Sequence, residues 1–185
     1  MKYNNSDNTD KDTIQHPDYE WIKEIRHWKL CGTLTFKTRY LDTQNDKVKD
    51  FFARYNWHLT GEYNWKNVPV YWRWELDDTE RLHAHFVHLP HTGEFDWLTG
   101  CENQFKSPND LAIWMKYNWN HGISHYQTYN DNGWLKYITK PNSMMCSCYS
   151  PPIHYLKKQV QAGKVGSFWP WLEHDYVTPT QSLNN

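Results

Sequence analysis

Two runs of this chain interleave apolar side chains with polar or charged ones, and a short polar link joins them. They are Val70-Tyr71-Trp72-Arg73-Trp74-Glu75 and Leu82-His83-Ala84-His85-Phe86-Val87. Strand side chains repeat every two residues, so each run offers one face to a core and one to something else. The link, Asp77-Asp78-Thr79-Glu80-Arg81, is polar and suits a tight turn. The pattern predicts a hairpin on which His83 and His85 leave the same face and Glu75 comes up beside them. One carboxylate and two imidazoles are three ligands for a divalent cation, with positions left open for substrate. A His-x-His pair on a strand is by itself more often two satisfied polar imidazoles than a metal site. Farther along, Tyr137-Ile138-Thr139-Lys140 places a tyrosine and a lysine at i and i+3 of a helix-like segment. Alone, Tyr137 reads as a packing ring and Lys140 as a solvated charge. Together with a metal hairpin they outline a phosphoryl-transfer enzyme with Tyr137 as nucleophile.

The rest of the chain supplies a frame for that hairpin. Leu30 to Phe36 reads as a first strand, and residues 46–57 as a helix with Val48, Phe51, Phe52 and Tyr55 on its buried stripe. Ser107-Pro108-Asn109-Asp110 has the cap, proline and acid of a helix start, and that helix runs to about Asn120. Residues 123–129 read as a strand, Asn130-Asp131-Asn132-Gly133 as a turn, and the next helix carries Tyr137 and ends near Pro141. Past Pro151 the pattern weakens to a short helix over 154–162. Strands and helices mix without strict alternation, so the predicted class is α+β, a mainly antiparallel central sheet flanked by helices. Residues 1–18 read as a disordered segment, 19–175 as one domain, and 176–185 as a loose tail.

Composition bounds how such a chain could meet a nucleic acid. The net charge of −1 and pI of about 6.8 argue against a broadly basic surface. Contacts to phosphates must then be local, and Lys37, Arg39, Lys136 and Lys140 are the candidates. Aromatic residues make up 17% of the chain at a mean hydropathy of −0.96, so rings interleave with polar residues. Tyr71, Trp72 and Trp74 are candidates for stacking unpaired bases, on whichever single face of their strand is exposed. Cys31, Cys101, Cys146 and Cys148 match no zinc-ribbon spacing. No signal peptide and no apolar run near the ~20 residues of a membrane span is visible, which predicts an intracellular, cytoplasmic protein with no membrane partner.

Taken in order, Thr33-Leu34-Thr35-Phe36, His83-Ala84-His85 and Tyr137-Ile138-Thr139-Lys140 resemble the three motifs of the HUH endonucleases, specifically rolling-circle replication initiators (Rep) with a single catalytic tyrosine. The resemblance covers roughly residues 28–142. Viral members place an acidic metal ligand where Glu75 stands. The resemblance implies a ferredoxin-like, RRM-like fold, with Mn²⁺ or Mg²⁺ on Glu75, His83 and His85. It implies attack by Tyr137 on a DNA phosphodiester, with Lys140 orienting the phosphate or assisting the metal site. The implied substrate is a single-stranded origin, and the implied partners are a host helicase and polymerase. The chain departs from paired-tyrosine phage initiators. It also lacks a Walker A sequence after the third motif, which suggests a small replicon's gene rather than an excised domain. A single-tyrosine transposase and a non-catalytic single-strand-binding module are the alternatives.

Overall fold

A computed structural model of the chain describes residues 16–25, 28, 30–37, 43–89, 108–140 and 144–163. Helix α1 spans Pro17–Ile22 and strand β1 Leu30–Thr35. Helix α2 spans Gln44–Thr60, and a 3₁₀ turn at Trp65–Asn67 leads into β2, Val70–Leu76. Strand β3 spans Leu82–His88, α3 Pro108–Asn118 and β4 Ser124–Thr128. Helix α4 spans Gly133–Ile138, β5 Met144–Tyr149 and α5 Pro151–Gln161. The sheet has five strands in the order β4-β1-β3-β2-β5, and every neighbouring pair is antiparallel. The stretch from β1 through β4 is a βαββαβ unit, the split arrangement of ferredoxin-like folds. Strand β5 extends it past β2.

Period-two alternation along the strands sorts the side chains onto two faces. One face packs on α2 and α3 through Leu30, Leu34, Trp72, Trp74, Ala84 and Phe86. The buried stripe of α2 holds Val48, Phe51, Phe52 and Tyr55, as the helical spacing predicts, and all four are fully buried. The helix stops at Gly61, whose φ of 78° is left-handed and open to glycine at no steric cost. On the sheet's edge, a Cβ on Gly122 would lie 1.9 Å from the Thr35 carbonyl oxygen, so only glycine lets the chain enter β4 against β1.

The opposite face is covered by α1, α4 and α5. Trp21, Ile22, Tyr71, Val87, Leu135, Ile138 and Ile153 form its apolar part. Asp18 ties this layer together. Its Oδ1 accepts from Trp21 Nε1 at 2.9 Å and faces Lys157 Nζ at 3.4 Å, and its Oδ2 accepts from the Tyr71 hydroxyl at 3.0 Å and the Ser147 hydroxyl at 2.5 Å. Burial alone would raise the Asp18 pKa, but these bonds and the Lys157 charge hold it below the usual carboxylate range.

Several expectations shift. Residues 17 and 18, expected within a disordered segment, belong to a helix instead: Pro17 opens α1, and the His16 backbone N–H donates to the Thr139 carbonyl at 3.2 Å. Residues 1–15 and the tail at 176–185 lie outside the described residues. Helix α2 is longer than 46–57, and α5 starts at Pro151 rather than 154. Strand β5 has no counterpart in the sequence reading, since Met144-Met145-Cys146-Ser147-Cys148-Tyr149 shows no polar–apolar alternation. The exposure expected for one face of β2 is absent. Tyr71, Trp72 and Trp74 are each at most 1% exposed, because β2 is an interior strand with helices on both faces.

Candidate active site

The β2–β3 hairpin forms as the alternation predicts, with Glu75 directly across from His83 and Arg73 across from His85. Asp77 builds its turn. The Asp77 Oδ1 accepts from the backbone N–H of Thr79 and of Arg81, both at 2.9 Å, and from the Thr79 hydroxyl at 2.7 Å. Thr79 above all, then the Arg81 backbone, hold the Asp77 carboxyl well below the usual range. Its second oxygen lies 3.0 Å from His83 Nε2. Asp77 therefore joins the site, although the sequence reading saw it only as a turn residue.

His85 sits deeper, 3% exposed, against Glu75: its Nε2 lies 2.5 Å from Glu75 Oε2. Burial above all, with the Lys140 charge adding, lowers the His85 pKa, although Glu75 pulls it up. Burial thus favours the neutral imidazole, which facing the Glu75 carboxylate would donate from Nε2. Its Nδ1 lies 2.8 Å from Thr33 Oγ1, on the strand partner directly opposite in β1. A hydroxyl donates or accepts. Thr33 can give its proton to Nδ1 when Nε2 carries hydrogen, or accept from Nδ1–H when the Nε2 lone pair is committed elsewhere. That explains a threonine in the first motif, which the sequence reading left without a role.

Helix α4 delivers the third motif to the same place. The Tyr137 hydroxyl donates to Glu75 Oε2 at 3.3 Å, and Lys140 Nζ lies 2.7 Å from Glu75 Oε1. Lys140 also stands 4.2 Å from the centre of the Tyr137 ring, a cation–π contact. Tyr137 remains 40% exposed. Burial, with the Glu75 charge adding, raises its pKa, and Lys140 opposes the rise. For Lys140, burial pulls the pKa down, but Glu75 outweighs it and the net shift is upward. Trp134, one turn before Tyr137, packs edge-on to His85 with ring centres 5.9 Å apart. It was not anticipated, because a tryptophan at that spacing reads as core.

Glu75, His83, His85, Tyr137 and Lys140 are therefore brought together, while the expected DNA contacts are not. Lys37 is exposed two residues past β1, at the end where Thr35 faces His83, and Lys136 is exposed on α4. Arg39 lies outside the described residues. Tyr71, Trp72 and Trp74 present no free ring face. Among the described residues, no three His, Cys, Asp or Glu side chains are grouped as a metal cage. The carboxylates instead hold the imidazoles as two neighbouring pairs, His83 with Asp77 and His85 with Glu75, with imidazole centres 5.8 Å apart. The donor chemistry fits a divalent cation: burial favours the neutral form of His85, carboxylates adjoin both rings, and the Thr33 hydroxyl can support the tautomer a metal-bound His85 requires.

The described helices include none long and apolar enough to cross a membrane. No curated protein and no solved structure matches the chain. A family model for replication-associated proteins of the ORF2/G2-P type matches residues 29–142, which span all three motifs and the sheet from β1 to α4. With that match over more than half of the sequence, the chain belongs to this family of replication-associated proteins, the rolling-circle Rep proteins of HUH type.

Proposed function

We propose that this protein nicks one strand of a replication origin through Tyr137 and rejoins strand ends by the reverse step, starting rolling-circle replication. The observation that carries the reading is the convergence of Tyr137 and Lys140 on Glu75, beside the His83–His85 pair. The Tyr137 oxygen attacks phosphorus in line with the 3′ oxygen. The bond from phosphorus to that oxygen breaks, the 3′ oxygen leaves as a hydroxyl after taking up a proton, and the 5′ phosphate stays on Tyr137. The raised pKa keeps Tyr137 protonated at rest. Glu75 is the acceptor within reach of its proton, and the Lys140 ammonium stabilises the phenolate that develops. Because phenolate is a competent leaving group, a 3′-hydroxyl can reverse the step without ATP.

Glu75, His83 and His85 would hold Mn²⁺ or Mg²⁺, with Asp77 at hand as a further carboxylate. Such a cation, when bound, polarises the scissile phosphate. Mixed carboxylate and imidazole donors favour Mn²⁺ over Mg²⁺. The substrate is single-stranded origin DNA, with Lys37 and Lys136 meeting backbone phosphates and host helicase and polymerase supplying unwinding and synthesis.

The test is covalent capture of origin single strands in Mn²⁺. The wild-type protein forms a denaturation-resistant adduct, and EDTA abolishes it. Tyr137→Phe forms none while binding the strand with near wild-type affinity, since only a hydroxyl is lost. Adduct formation by Tyr137→Phe at wild-type yield, or full activity in EDTA, overturns the reading.

A further inference from the structure

Beside Tyr137 the surface opens into a cavity of about 310 Å³. Tyr137 and Trp134 of α4 line one side. Gln127, Asn130 and Asp131, from the end of β4 and its link to α4, line another. We propose that this cavity receives the unpaired base next to the scissile phosphate and selects bases that carry an exocyclic amino group. The inference rests on the nicking reading above and names what that site recognises.

Position is the first argument. The cavity shares the Tyr137 side chain with the reaction site, so an occupant lies within about one nucleotide of the phosphorus under attack. Charge is the second. The lining holds one carboxylate, Asp131, and no lysine, arginine or histidine. A phosphate would be repelled there, whereas a neutral base would not.

The aromatic side is set before any ligand arrives. Trp134 Nε1 donates to the Phe86 carbonyl at 3.0 Å, and the indole lies 5.3 Å from the Tyr137 ring at a tilt of 34°. A ring already held in place loses little freedom on binding. Stacking on such a ring tolerates every base, so discrimination must come from the polar side.

Asp131 supplies it. Its Oδ1 accepts from the Gly133 backbone N–H at 2.7 Å, which orients the carboxylate. A Cβ at position 133 would approach the same oxygen to 2.8 Å, so glycine leaves the carboxylate where it is. An ionised carboxylate accepts hydrogen bonds and donates none. Adenine, cytosine and guanine each offer an amino group, whereas the one edge donor of thymine, N3–H, lies between two carbonyl oxygens that the second carboxylate oxygen repels. The amides of Gln127 and Asn130 both donate and accept, so they suit any base edge and do not set the preference.

The experiment uses a pool of short single strands randomised over a central window, incubated with the full chain and Mn²⁺. Both the captured fragment and the released fragment are sequenced. In the wild type, thymine is depleted roughly tenfold at one of the two nucleotides flanking the cut, the worth of about one hydrogen bond to a charged group. Asp131→Asn, which donates as well as accepts, restores thymine there and leaves preferences at other positions unchanged. Should that variant fail to fold, Tyr137→Phe binding replaces it. The selected strand then binds roughly tenfold tighter than the same strand with thymine at the flanking position. Unchanged thymine depletion in Asp131→Asn, no preference at either flanking nucleotide, or equal binding of the two strands overturns the role of the cavity and leaves nicking intact. No captured strand at all from folded wild-type protein overturns the nicking reading, and the cavity's role falls with it.

Discussion

The two faces of the central hairpin are built from alternate residues of the same two strands, and they do opposite work. Toward α2 and α3 stand Val70, Trp72, Trp74, Leu82, Ala84 and Phe86, none more than 1% exposed. Rings close this layer, as where Phe36 meets Trp119 at 4.9 Å and 90°. Toward α1, α4 and α5 stand Tyr71, Arg73, Glu75, His83, His85 and Val87. This second face is also largely buried, yet it holds ionisable groups. Arg73 is 1% exposed, and its Nε and Nη1 find no hydrogen-bond partner. Burial lowers the pKa of Arg73 and of His85 and raises that of Tyr137. Burial alone therefore does not separate a core from a site. What separates them is whether removing water is the whole effect, as for Phe86, or changes the chemistry of what remains, as for His85.

The sharpest way to break the comparison is to cut into the apolar face and look for damage on the other. Trp72→Ala removes a fully buried ring and is expected to cost about 3–5 kcal/mol of stability in denaturant unfolding. Tyr137→Phe loses one partly exposed hydrogen bond and is expected to cost no more than about 1.5 kcal/mol. A Trp72→Ala loss as small as that of Tyr137→Phe would show that the apolar face is not where stability resides.

Acid tests the same division with a different lever. His88 lies on the apolar side of β3, its ring 5.8 Å from Tyr55 and its Nδ1–H donating to the Leu89 carbonyl at 2.8 Å. Burial pushes its pKa down from 6.5 to about 4. The unfolded chain then binds the proton more readily than the folded one between those values. The stability His88 contributes is complete above pH 6.5 and is lost as pH falls toward 4, on the order of 3 kcal/mol. The urea midpoint should fall across that window in the wild type and fall less in His88→Phe. Equal slopes for the two would mean that the apolar face tolerates the charge.

The smallest expected effect sharpens the polar face. Thr33→Val keeps the size of the side chain and removes the hydroxyl at 2.8 Å from His85 Nδ1. The Mn²⁺ concentration needed for half-maximal adduct formation should rise about 10–100-fold, the usual cost of an outer-shell partner, with the unfolding midpoint nearly unchanged. An unchanged Mn²⁺ requirement would mean that Thr33 does not orient the imidazole.

Much of this site was legible in the chain because its signals are local. Alternation in Leu82-His83-Ala84-His85 is a property of the strand itself, and it places both imidazoles on one face wherever the strand ends up. Tyr137 and Lys140 share a helix face for the same kind of reason. Asp77 reads in the sequence only as a turn residue, because its turn-forming role and its approach to His83 use the same carboxylate and only the turn role is local. Tyr71, Trp72 and Trp74 show the opposite case: their alternation is local and legible, but whether a strand face meets solvent depends on what covers it, and both faces of β2 are covered.

By itself, the amino-acid sequence determined the hairpin, the α+β class, the common face of His83 and His85, and the shared helix face of Tyr137 and Lys140. Each follows from periods of two or of 3.6 residues, which short-range backbone geometry imposes. Tertiary structure alone decided that β5 lines up beside β2, that α1 closes over the polar face of the sheet through Asp18, and that Thr33 reaches His85. Those contacts join residues 52 to 129 positions apart. No local pattern encodes them, because each depends on which distant segment buries the most apolar surface while still satisfying the polar groups it covers.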